Sequence, residues 1–564
     1  MIIKASKLLI SFILIIFPYM SFSQTLNGVW TDLDGSSVKP GISDKSAVER
    51  ISPWMVLDSK DQPHIIWQEG ADMANRWKGE IFYKYWNQDE EKWVTYGDAD
   101  KEGGLTQSKY CSSGYEAAIA IDSKDFPHVL YVATEKDSTD YCLYYRFWDG
   151  EKWTSYGGAD KFPEPSVLIN SNIELYSQSL LSIDENDYPW IVANLDHDPN
   201  IIFVFWDGKK WRGYGSSYSE GGIDPSPYIR NNFNPTPKEI INVGGFPIIL
   251  GTFYGDTDNT SLLVSIEWDG YEWIKTDYGD PGFRITTVKR DSENRFHVAG
   301  YSKDLIYNPT CFSFFENNEW KTLGSNGFVF PNTENCSNIS LAIDKKNYPH
   351  LIYTSNSYPG LHYFFWDGYG WNGREWSQLR DGIHDSANNY KIWCANSNLI
   401  IDSRNQPCIC FDDQEGLGDY IHYLYNNLTQ KHNDLSLGID TDRYIYESED
   451  ELNLSVGMIN PDLTRKVNLY LVLENFTTDE YWFFPNWSKE IDFITVTVSP
   501  ELAIPITKIF SFDIPCESPP LAHDKEKNWI YSYRYIFAAF DTKKNELLDL
   551  ISTYFKIYPP KNEK

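Results

Sequence analysis

The chain has 564 residues, with 49 Lys and Arg against 80 Asp and Glu, so its formal net charge is −31. This excess of acid excludes a general binder of nucleic acid or of anionic membranes, because both of those partners are polyanions. Aromatic residues make up 16% of the chain, a bias toward bulky side chains that favours β structure. A chain of this length exceeds what one compact core supports, so we expect at least two domains.

The N-terminal segment has the pattern of a secretion signal. Two lysines precede an apolar run at 8–17, and Ser21 and Ser23 supply the small residues expected before a cleavage site. We predict a signal peptide over 1–23 and a secreted mature chain, extracellular or periplasmic, that begins at Gln24. The apolar run has about half of the roughly 20 residues that a membrane helix needs, and no later stretch reaches that length, so we expect no membrane span. An uncleaved N-terminal anchor is the alternative.

The eight cysteines follow no dense spacing pattern. A structural zinc site needs pairs of Cys or His ligands at set spacings, which are not found, so we predict no metal site. In an oxidising compartment one or two disulfides are expected, and the other thiols are expected to be buried. Proximity along the chain suggests the pairs Cys111 with Cys142 and Cys311 with Cys336.

One phrase recurs: an apolar run, an Asp, two or three polar residues, an aromatic residue or Gln, Pro, and then His with more apolar residues. It stands as MVLDSKDQPHIIW from Met55, IAIDSKDFPHVLY from Ile119, LSIDENDYPWIVA from Leu181, LAIDKKNYPHLIY from Leu341 and LIIDSRNQPCICF from Leu399. A weaker copy starts at Val288, and a degenerate copy without the Asp starts at Asn242. The marker Asp residues lie 53 to 64 residues apart, except for one gap of 107 that holds the degenerate copy, so we predict seven units.

Each unit continues into a second hairpin. An Asp-Gly turn between aromatic strands recurs, as in YRFWDGEKW from Tyr145 and FVFWDGKKW from Phe203. Asp-Gly is a strong hairpin signal because the turn needs residues that tolerate positive φ. The first hairpin turns at the marker Asp, whose side chain can accept backbone N–H bonds. Each unit is therefore predicted to hold four short antiparallel strands.

Units of this length with four antiparallel strands are typical of β-propeller blades. The seventh unit ends near Tyr425 without its Trp strand, whereas residues 26–33, LNGVWTDL, resemble the missing strand. We predict an all-β fold: a seven-bladed β-propeller over 24–434, in which the N-terminal strand completes the last blade and removes open sheet edges. From 435 to 564 the phrase stops, and alternating apolar and polar stretches predict an immunoglobulin-like β-sandwich. Its WFFPNW stretch from Trp482 is predicted to be core, with an exposed aromatic ledge as the alternative.

A mostly polar column stands six residues before each marker Asp. If the apolar run is the innermost strand of a blade, this column lies on the rim of the central channel, where loops of several blades meet. We predict a polar ligand pocket there; the alternative is that these side chains only cap strand starts. The candidate ligand-binding residues are Ser52, Glu116, Gln178, Arg284, Asn338 and Asn396, with Arg284 standing beside the apolar member of the column.

A second column holds the histidines that follow the first turn, His64, His128, His297 and His350. A residue repeated in most blades is better explained by packing than by one active site. The marker aspartates are expected to cap turns. They do not form the facing carboxylate pair that glycoside hydrolysis needs, and the sequence assigns no catalytic residue.

The repeated phrase resembles the sialidase-like and BNR-type propeller repeats of secreted bacterial proteins, over roughly residues 26 to 430. A clean S-x-D-x-G-x-T-W box and an assignable set of three arginines for a sialic carboxylate are not found, so the resemblance does not extend to sialidase activity. Some polysaccharide lyases are also seven-bladed propellers with His or Tyr as base, but no motif places those roles here. Similarity of fold alone does not supply function.

We interpret the chain as a secreted, non-catalytic binding protein whose propeller engages a glycan or a protein. The first alternative is a polysaccharide lyase or glycosidase that acts at the rim through Glu116 and Arg284, with Tyr115 or Tyr390. The net negative charge would repel a polyuronate unless a local basic patch or bound calcium compensated. A structural envelope component is the second alternative and predicts no pocket. No cofactor is predicted, and a structural calcium ion is left open.

Overall fold

The computed structural model describes residues 27–37, 41–43, 50–70, 79–101, 103–106, 110–111, 117–134, 142–159, 179–194, 201–217, 223, 236–254, 261–302, 310–323, 336–355, 361–366, 371–372, 394–413, 420–431, 436–441, 445–446, 451–460, 464–475, 480–483, 490–491, 493–498, 502–513, 531–543 and 547–557. The predicted signal segment 1–23 lies outside them. The described residues form β-strands and a single 3-10 turn at Tyr156–Gly158. None of their helical residues makes a segment long and apolar enough to cross a membrane.

The chain divides into two compact units. The larger unit comprises Thr31–Asn372 and Asp385–Tyr425. The C-terminal unit comprises Asn426–Lys564 with Met1–Trp30 and Gly373–His384. The domain borders inferred from the sequence at residues 23 and 434 stay predictions.

The larger unit is built from sets of short strands that follow one another along the chain. The first three sets are β2–β5 (Arg50–Leu57, Pro63–Gly70, Gly79–Asn87, Lys92–Val94), β7–β10 (Ala118–Ile121, Pro127–Thr134, Cys142–Trp148, Trp153–Thr154) and β11–β14 (Leu180–Ile183, Pro189–Asn194, Ile201–Trp206, Trp211–Arg212). The next three are β15–β18 (Thr236–Val243, Phe246–Tyr254, Ser261–Trp268, Trp273–Asp277), β19–β22 (Arg284–Arg290, Phe296–Tyr301, Thr310–Glu316, Glu319–Lys321) and β23–β26 (Cys336–Ile343, Pro349–Ser355, Leu361–Trp366, Trp371–Asn372). The last set is β27–β29 (Cys394–Ile401, Pro407–Asp413, Ile421–Lys431), with β1 (Asn27–Thr31) beside β29.

Within each set the strands pair antiparallel in chain order, and the two-residue strand β6 (Tyr110–Cys111) links the first two sets. The first strand of each set lies against the first strand of the next, from β2 and β7 through to β23 and β27, and β27 lies against β2. The sets therefore follow one another in a ring whose innermost strands are the apolar runs of the repeated phrase. Repeated four-stranded antiparallel sheets of this kind are consistent with a β-propeller.

The hydrophobic core lies between neighbouring sets. Alternate side chains of each strand point to opposite faces of its sheet, so each sheet buries one face against the set before it and one against the set after it. Between the first two sets, for example, Ile66 and Tyr83 pack with Val129 and Tyr131, all of them buried. Because both faces of each sheet are buried, the sequences of the middle strands are nearly continuous apolar runs.

The marker Asp of each set caps the turn between its first two strands, as the sequence predicts. In the second set, Asp122 Oδ1 accepts the backbone N–H groups of Lys124 and Phe126 at 2.9 and 2.8 Å. The same two bonds recur at Asp58, Asp184, Asp291, Asp344 and Asp402. The residue three positions after each marker is Asp or Asn at φ between 62° and 66°, a left-handed conformation that these two residues tolerate.

These turns also bond from one set to the next. The residue after the marker donates to the left-handed Asp or Asn of the following turn. The backbone N–H donors and their partners are Ser59 to Asp125 at 2.9 Å, Ser123 to Asp187 at 2.8 Å, Ser292 to Asn347 at 3.2 Å, Lys345 to Asn405 at 3.3 Å and Ser403 to Asp61 at 2.8 Å. The last of these connects the last set to the first, so the series runs back to its start.

The fourth set departs from this scheme because its turn is the short segment Val243-Gly244-Gly245-Phe246, without a marker Asp. Its turn carries exposed apolar side chains: Val243 and Phe246 are each 42% exposed, and Tyr271 in the neighbouring hairpin turn is 91% exposed. Loss of the capping Asp thus coincides with an apolar surface at this edge of the fourth set.

The repeated histidines pack under the turns rather than forming a separate site. His128 Nδ1 lies 2.6 Å from Tyr145 Oη, while its Nε2 lies 3.5 Å from Asp122 Oδ2. His64 and His350 repeat the arrangement with Tyr83 and Tyr363. The rings are at most 2% exposed, which agrees with the packing role expected for this column.

The described residues of the C-terminal unit form two sheets. Their strands are β30 (Ser436–Thr441), β31 (Ile445–Tyr446), β32 (Glu451–Asn460), β33 (Arg465–Asn475), β34 (Glu480–Phe483), β35 (Ile494–Val498), β36 (Leu502–Asp513), β37 (Tyr531–Asp541) and β38 (Leu547–Ile557). One sheet has the order β30-β32-β36, and the other has β31-β38-β37-β33-β34 with β35 beside β33. β31 pairs parallel with β38, and the other pairs are antiparallel. The unit is all-β, and its immunoglobulin-like topology stays a prediction. Of the WFFPNW stretch, Trp482 and Phe483 are half-buried and the rest lies outside the described residues.

The suggested disulfide between Cys311 and Cys336 is wrong, because both residues are buried thiols that no disulfide joins. Each lies in a hydrophobic core cluster, on β21 and β23 of neighbouring sets. Burial raises the pKa of the Cys311 thiol to about 12, so it stays protonated and packs as a small apolar residue.

Substituting Asp122→Ala is expected to lower the free energy of unfolding by about 2–4 kcal/mol, because two backbone N–H groups lose an acceptor and buried His128 loses the carboxylate 3.5 Å from its Nε2. The matched control is Asp149→Ala, which removes two similar backbone bonds from an exposed hairpin turn. For the control we expect a loss of about 1 kcal/mol or less. Urea titrations of the two variants measure the difference, and equal losses would contradict the role given to burial and to His128.

The marker turns also predict an acid limit to stability. Burial raises the pKa of Asp58, Asp122, Asp291 and Asp344, but hydrogen bonds from the partner histidine and from backbone N–H groups outweigh it, and each pKa lies below its ordinary value of 3.8. A lowered pKa stabilises the fold fully above the unfolded-state value, and this stabilisation is lost as the pH falls through the folded-state value. We therefore expect the unfolding free energy to fall below about pH 4 in urea titrations. Asp122→Asn should show a shallower fall than the unsubstituted chain, and an identical slope would refute the assignment.

Candidate functional site

The candidate site is the rim, which we define as the edge where the first strand of each set begins and the second strand ends. Because the two strands are antiparallel, this edge lies opposite the marker turns. Ser52, Asn338 and Asn396 lie on the first strands β2, β23 and β27, and β27 lies between the other two. Arg284 begins β19, which lies beside β23. Glu116 and Gln178 lie outside the described residues.

A break in strand register places the polar column at the rim. The pairing of the first and second strands shifts between Ile51 and Trp54, between Ser337 and Ser340, and between Cys394 and Ser397. Ser52 and Asn338 lie within these irregularities at φ 55° and 48°. A β-bulge re-aims side chains locally and is common beside functional sites. The sequence column therefore marks a repeated bulge, which a simple alternation of faces would not predict.

In the first set the rim holds buried polar groups. Ser52 is 6% exposed and Gln68, at the end of β3, is 1% exposed. Within the described residues, the Ser52 hydroxyl and both polar atoms of the Gln68 side-chain amide have no hydrogen-bond partner. Buried polar groups in folded proteins are nearly always bonded, so groups of this kind call for water or a ligand.

In the last set the rim is closed by its own hydrogen bonds. Asp412, at the end of β28, is fully buried. Its two carboxylate oxygens accept the backbone N–H of Asn396 at 2.7 Å and the Asn396 side-chain amide at 2.8 Å. Asn396 thus holds a buried carboxylate in place, which is closer to the strand-capping alternative than to a free ligand-binding group.

The fourth and fifth sets bring two cations together at the rim. Lys238 occupies the bulge of β15, where pairing shifts between Pro237 and Glu239, and it is half-buried. Arg284 is exposed, and its guanidinium lies 5.5 Å from the ring centre of Tyr301. Burial, and then the nearby charge of Arg284, lower the pKa of Lys238 to about 8. The pair provides positive charge in a strongly acidic chain.

Sequence reasoning missed Lys238, Gln68 and Asp412. The last two belong to a column five residues after the Pro of the repeated phrase, where polar residues recur at Asn194, Thr252 and Thr354. Extending the phrase by a few residues could have found this column. Lys238 could not be found in this way, because the fourth unit has lost the marker Asp that aligns the column. Among the described residues, no group of three or more His, Cys, Asp or Glu is placed to hold a metal ion.

Gly300 on β20 fixes the backbone beneath Arg284. A Cβ at Gly300 would lie 1.8 Å from the Arg284 carbonyl oxygen, whereas a Cβ at Gly251, in the same column of β16, would lie 3.4 Å from the Thr236 carbonyl oxygen. We expect Gly300→Ala to lower the unfolding free energy by about 3 kcal/mol and Gly251→Ala by less than about 1 kcal/mol. Urea titrations measure the unfolding free energy of both variants. Equal losses of unfolding free energy would show that β19 can move to accommodate the added methyl group.

No protein-family model matches this sequence, and no curated protein matches it. The solved structures with similarity include an ulvan lyase of a polysaccharide lyase family, with a TM-score of 0.42 and 10% identity over 71% of this chain and 94% of that chain. They also include a Hadza microbial sialidase, with a TM-score of 0.35 and 11% identity over 68% and 66% of the two chains. A Penicillium chrysogenum α-L-arabinanase complexed with arabinobiose has a TM-score of 0.35 and 11% identity over 72% and 99%. Similarities this distant do not support an inference about activity.

Proposed function

We propose that the larger unit is a seven-bladed propeller, closed by the N-terminal strand, whose rim binds an acidic glycan outside the cytoplasm. The observation that carries the proposal is the pair Lys238 and Arg284 on the adjacent first strands β15 and β19. Carboxylate and sulfate groups are the charged substituents of acidic polysaccharides, and charge-assisted hydrogen bonds from such a pair suit them.

The charge of the whole chain does not oppose this binding at short range. At about 0.1 M salt, exposed charges more than about 10 Å apart are largely screened, so distant acids of the chain contribute little to the field beside Lys238 and Arg284. Lys238 is half-buried, which strengthens its interaction with a bound anion. The sequence predicts that a local basic patch would be needed for a polyuronate, and Lys238 with Arg284 is such a patch.

Uncharged parts of a glycan would meet the remaining rim. The Ser52 hydroxyl and the Gln68 amide are buried without a described partner, and they could exchange hydrogen bonds with sugar hydroxyls. Asn338, exposed on β23, adds a further amide. Asn338 lies on the set next to Arg284, whereas Ser52 and Gln68 lie on the first set, so these groups support recognition of hydroxyls along a longer bound glycan.

The test is isothermal titration of the mature protein with oligomers of polygalacturonate and alginate, and with neutral dextran oligomers for comparison. We expect binding of the acidic oligomers only, and a loss of about tenfold or more in Arg284→Ala and in Lys238→Met. The matched control is Lys152→Met, which removes an exposed lysine from a hairpin turn of the second set, away from the rim. Equal binding of dextran, or equal loss in the control, would refute the proposal.

A second candidate function is cleavage of the same glycan by elimination, favoured by the pKa of Lys238 near 8. A base would remove the proton beside the uronate carboxyl, the bond to the leaving sugar oxygen would break, and a carbon–carbon double bond would form. Arg284 would bind the carboxylate, the neutral form of Lys238 would take the proton, and Tyr301 is the nearby hydroxyl that could protonate the leaving oxygen.

The same incubations separate cleavage from binding. Elimination would produce ultraviolet absorbance from the unsaturated uronate, at a rate that rises as the pH passes about 8, because Lys238 then loses its proton. Binding without this absorbance would support the non-catalytic interpretation. If neither binding nor product were detected, the interpretation as a structural envelope component would remain.

A further inference from the structure

A cavity lies at the edge of the larger unit opposite the rim, where the first set meets the last. Its volume is about 580 Å³. It is lined by residues 32–34, by the turn 60–63, by Trp86 and by Tyr425. The proposed function makes no use of it.

Neighbouring sets are joined by a repeated hydrogen bond that shows how this cavity arises. A tryptophan indole N–H of one set donates to a backbone carbonyl just after the last strand of the preceding set. The pairs are Trp153 to Tyr96 at 2.9 Å, Trp211 to Tyr156 at 3.1 Å, Trp273 to Tyr214 at 3.0 Å, Trp320 to Tyr278 at 2.8 Å, Trp371 to Leu323 at 3.2 Å and Trp93 to Leu33 at 3.1 Å. The Leu33 carbonyl therefore accepts the same tryptophan bond as the corresponding carbonyl at each of the other junctions.

At three junctions the accepting residue is a tyrosine that stacks on another tryptophan of the next set. The ring-centre distances are 5.0 Å for Tyr96 and Trp148, 5.2 Å for Tyr156 and Trp206, and 5.2 Å for Tyr214 and Trp268. A glycine follows each tyrosine, and a Cβ on Gly157 would lie only 3.0 Å from the Trp206 ring. The Tyr-Gly pair thus fills the junction.

At the closing junction this pair is replaced by Leu33 and Asp34. Leu33 has no ring to stack on Trp86, which is the counterpart of the stacked tryptophans. Asp34 keeps the left-handed backbone, at φ 53°, but adds a side chain where the others have glycine. Leu323, at another junction, also has no ring, but the turn of the following set there keeps an aromatic residue, Tyr348, before its Pro.

A second ring is missing at the same place. Phe126 and Tyr188, just before the Pro of their turns, pack edge-on against Tyr96 and Tyr156 at 6.3 and 5.9 Å between ring centres. The first set has Gln62 at this position, and its amide bonds to Asp58 instead, at 2.7 Å. Replacement of two aromatic rings by Leu33 and Gln62 accounts for the space beside Trp86.

The cavity combines aromatic surface with fixed polar groups. Trp86 and Tyr425 contribute rings. Arg404 donates to Asp402 Oδ2 from Nε at 3.1 Å and from Nη2 at 3.0 Å, and its Nε lies 3.8 Å from Asp61 Oδ2. Asp61 is held in place by the backbone N–H of Ser403 at 2.8 Å. The walls therefore carry a guanidinium donor beside a carboxylate acceptor, both within reach of one bound molecule.

We propose that this cavity binds a neutral sugar unit. A pyranose has an apolar C–H face that packs on aromatic rings and adjacent hydroxyls that both donate and accept, which suits a carboxylate beside a guanidinium. The volume falls in the range of small-molecule sites, roughly 300–1,000 Å³. The lining acids outnumber the lining bases and so disfavour an acidic sugar, the acids being Asp32, Asp34, Asp61 and Glu91 and the bases Lys60 and Arg404.

The site is independent of the rim. It differs from the rim in place, at the edge that carries the marker turns, and in charge, since carboxylates predominate where the rim has a cation pair. Binding of a neutral sugar here would survive failure of the acidic-glycan proposal, and the variants that test the two sites share no residue.

The experiment is saturation-transfer NMR and isothermal titration of the mature protein with glucose, galactose, mannose, xylose, cellobiose and maltose. We expect at least one of them to bind. The double variant Leu33→Tyr, Gln62→Phe restores the rings of the other junctions; it should raise the melting temperature and abolish binding. Arg404→Met should weaken binding by about tenfold or more, the loss expected for a charge-assisted hydrogen bond.

Arg212→Met is the matched control, because Arg212 is also an exposed arginine paired with an aspartate, Asp207, in another set. It should leave sugar binding unchanged. Binding of none of the six sugars, or undiminished binding in the filled variant, would overturn the proposal. If the filled variant does not fold, Arg404→Met decides; because Arg404 Nη2 also lies 3.0 Å from the marker carboxylate of Asp402, its melting temperature is recorded to separate lost binding from lost stability.

Discussion

The structure of the larger unit depends on one interaction, the capping of a turn by the marker Asp. Its carboxylate satisfies two backbone N–H groups, and this fixes the angle at which the first strand of a set turns into the second. The following residue then bonds to the next turn, so a local cap also sets the spacing between neighbouring sheets. These bonds favour the charged carboxylate, which is why Asp122 holds a lowered pKa although burial raises it.

Regularity in this chain serves packing, and departures from it mark the candidate sites. The histidines and tyrosines under the turns recur from set to set because each sheet must meet the same kind of neighbour. The fourth set has lost its capping Asp, and it contributes Lys238 to the rim. The closing junction has lost two aromatic rings, and it holds the cavity beside Trp86. A ligand site needs open space and polar groups without a hydrogen-bond partner. Regular packing between neighbouring sheets fills such space and pairs such groups.

Charge acts on two scales in this protein. The net charge of −31 governs long-range encounters and solubility. Within a few ångströms the local pairs decide: Lys238 with Arg284 presents positive charge at the rim, while Asp61 beside Arg404 presents both signs at the opposite edge. One chain can therefore favour an acidic group at one edge and a neutral one at the other.

Sequence by itself determined the strands, the turns and their repetition, because these depend on local chemistry: the marker Asp followed by a left-handed Asp or Asn, and the Asp-Gly hairpins between aromatic strands. It also placed Ser52, Asn338 and Asn396 at one edge, since a fixed offset from a repeated turn falls at the same point of each sheet. Only the tertiary structure decided which of them bond internally, as Asn396 does with Asp412. It alone brought Lys238 next to Arg284, kept Cys311 and Cys336 as thiols without a disulfide, and opened a cavity at the closing junction. These features arise from contacts between sheets, whose distances no spacing along a single chain encodes.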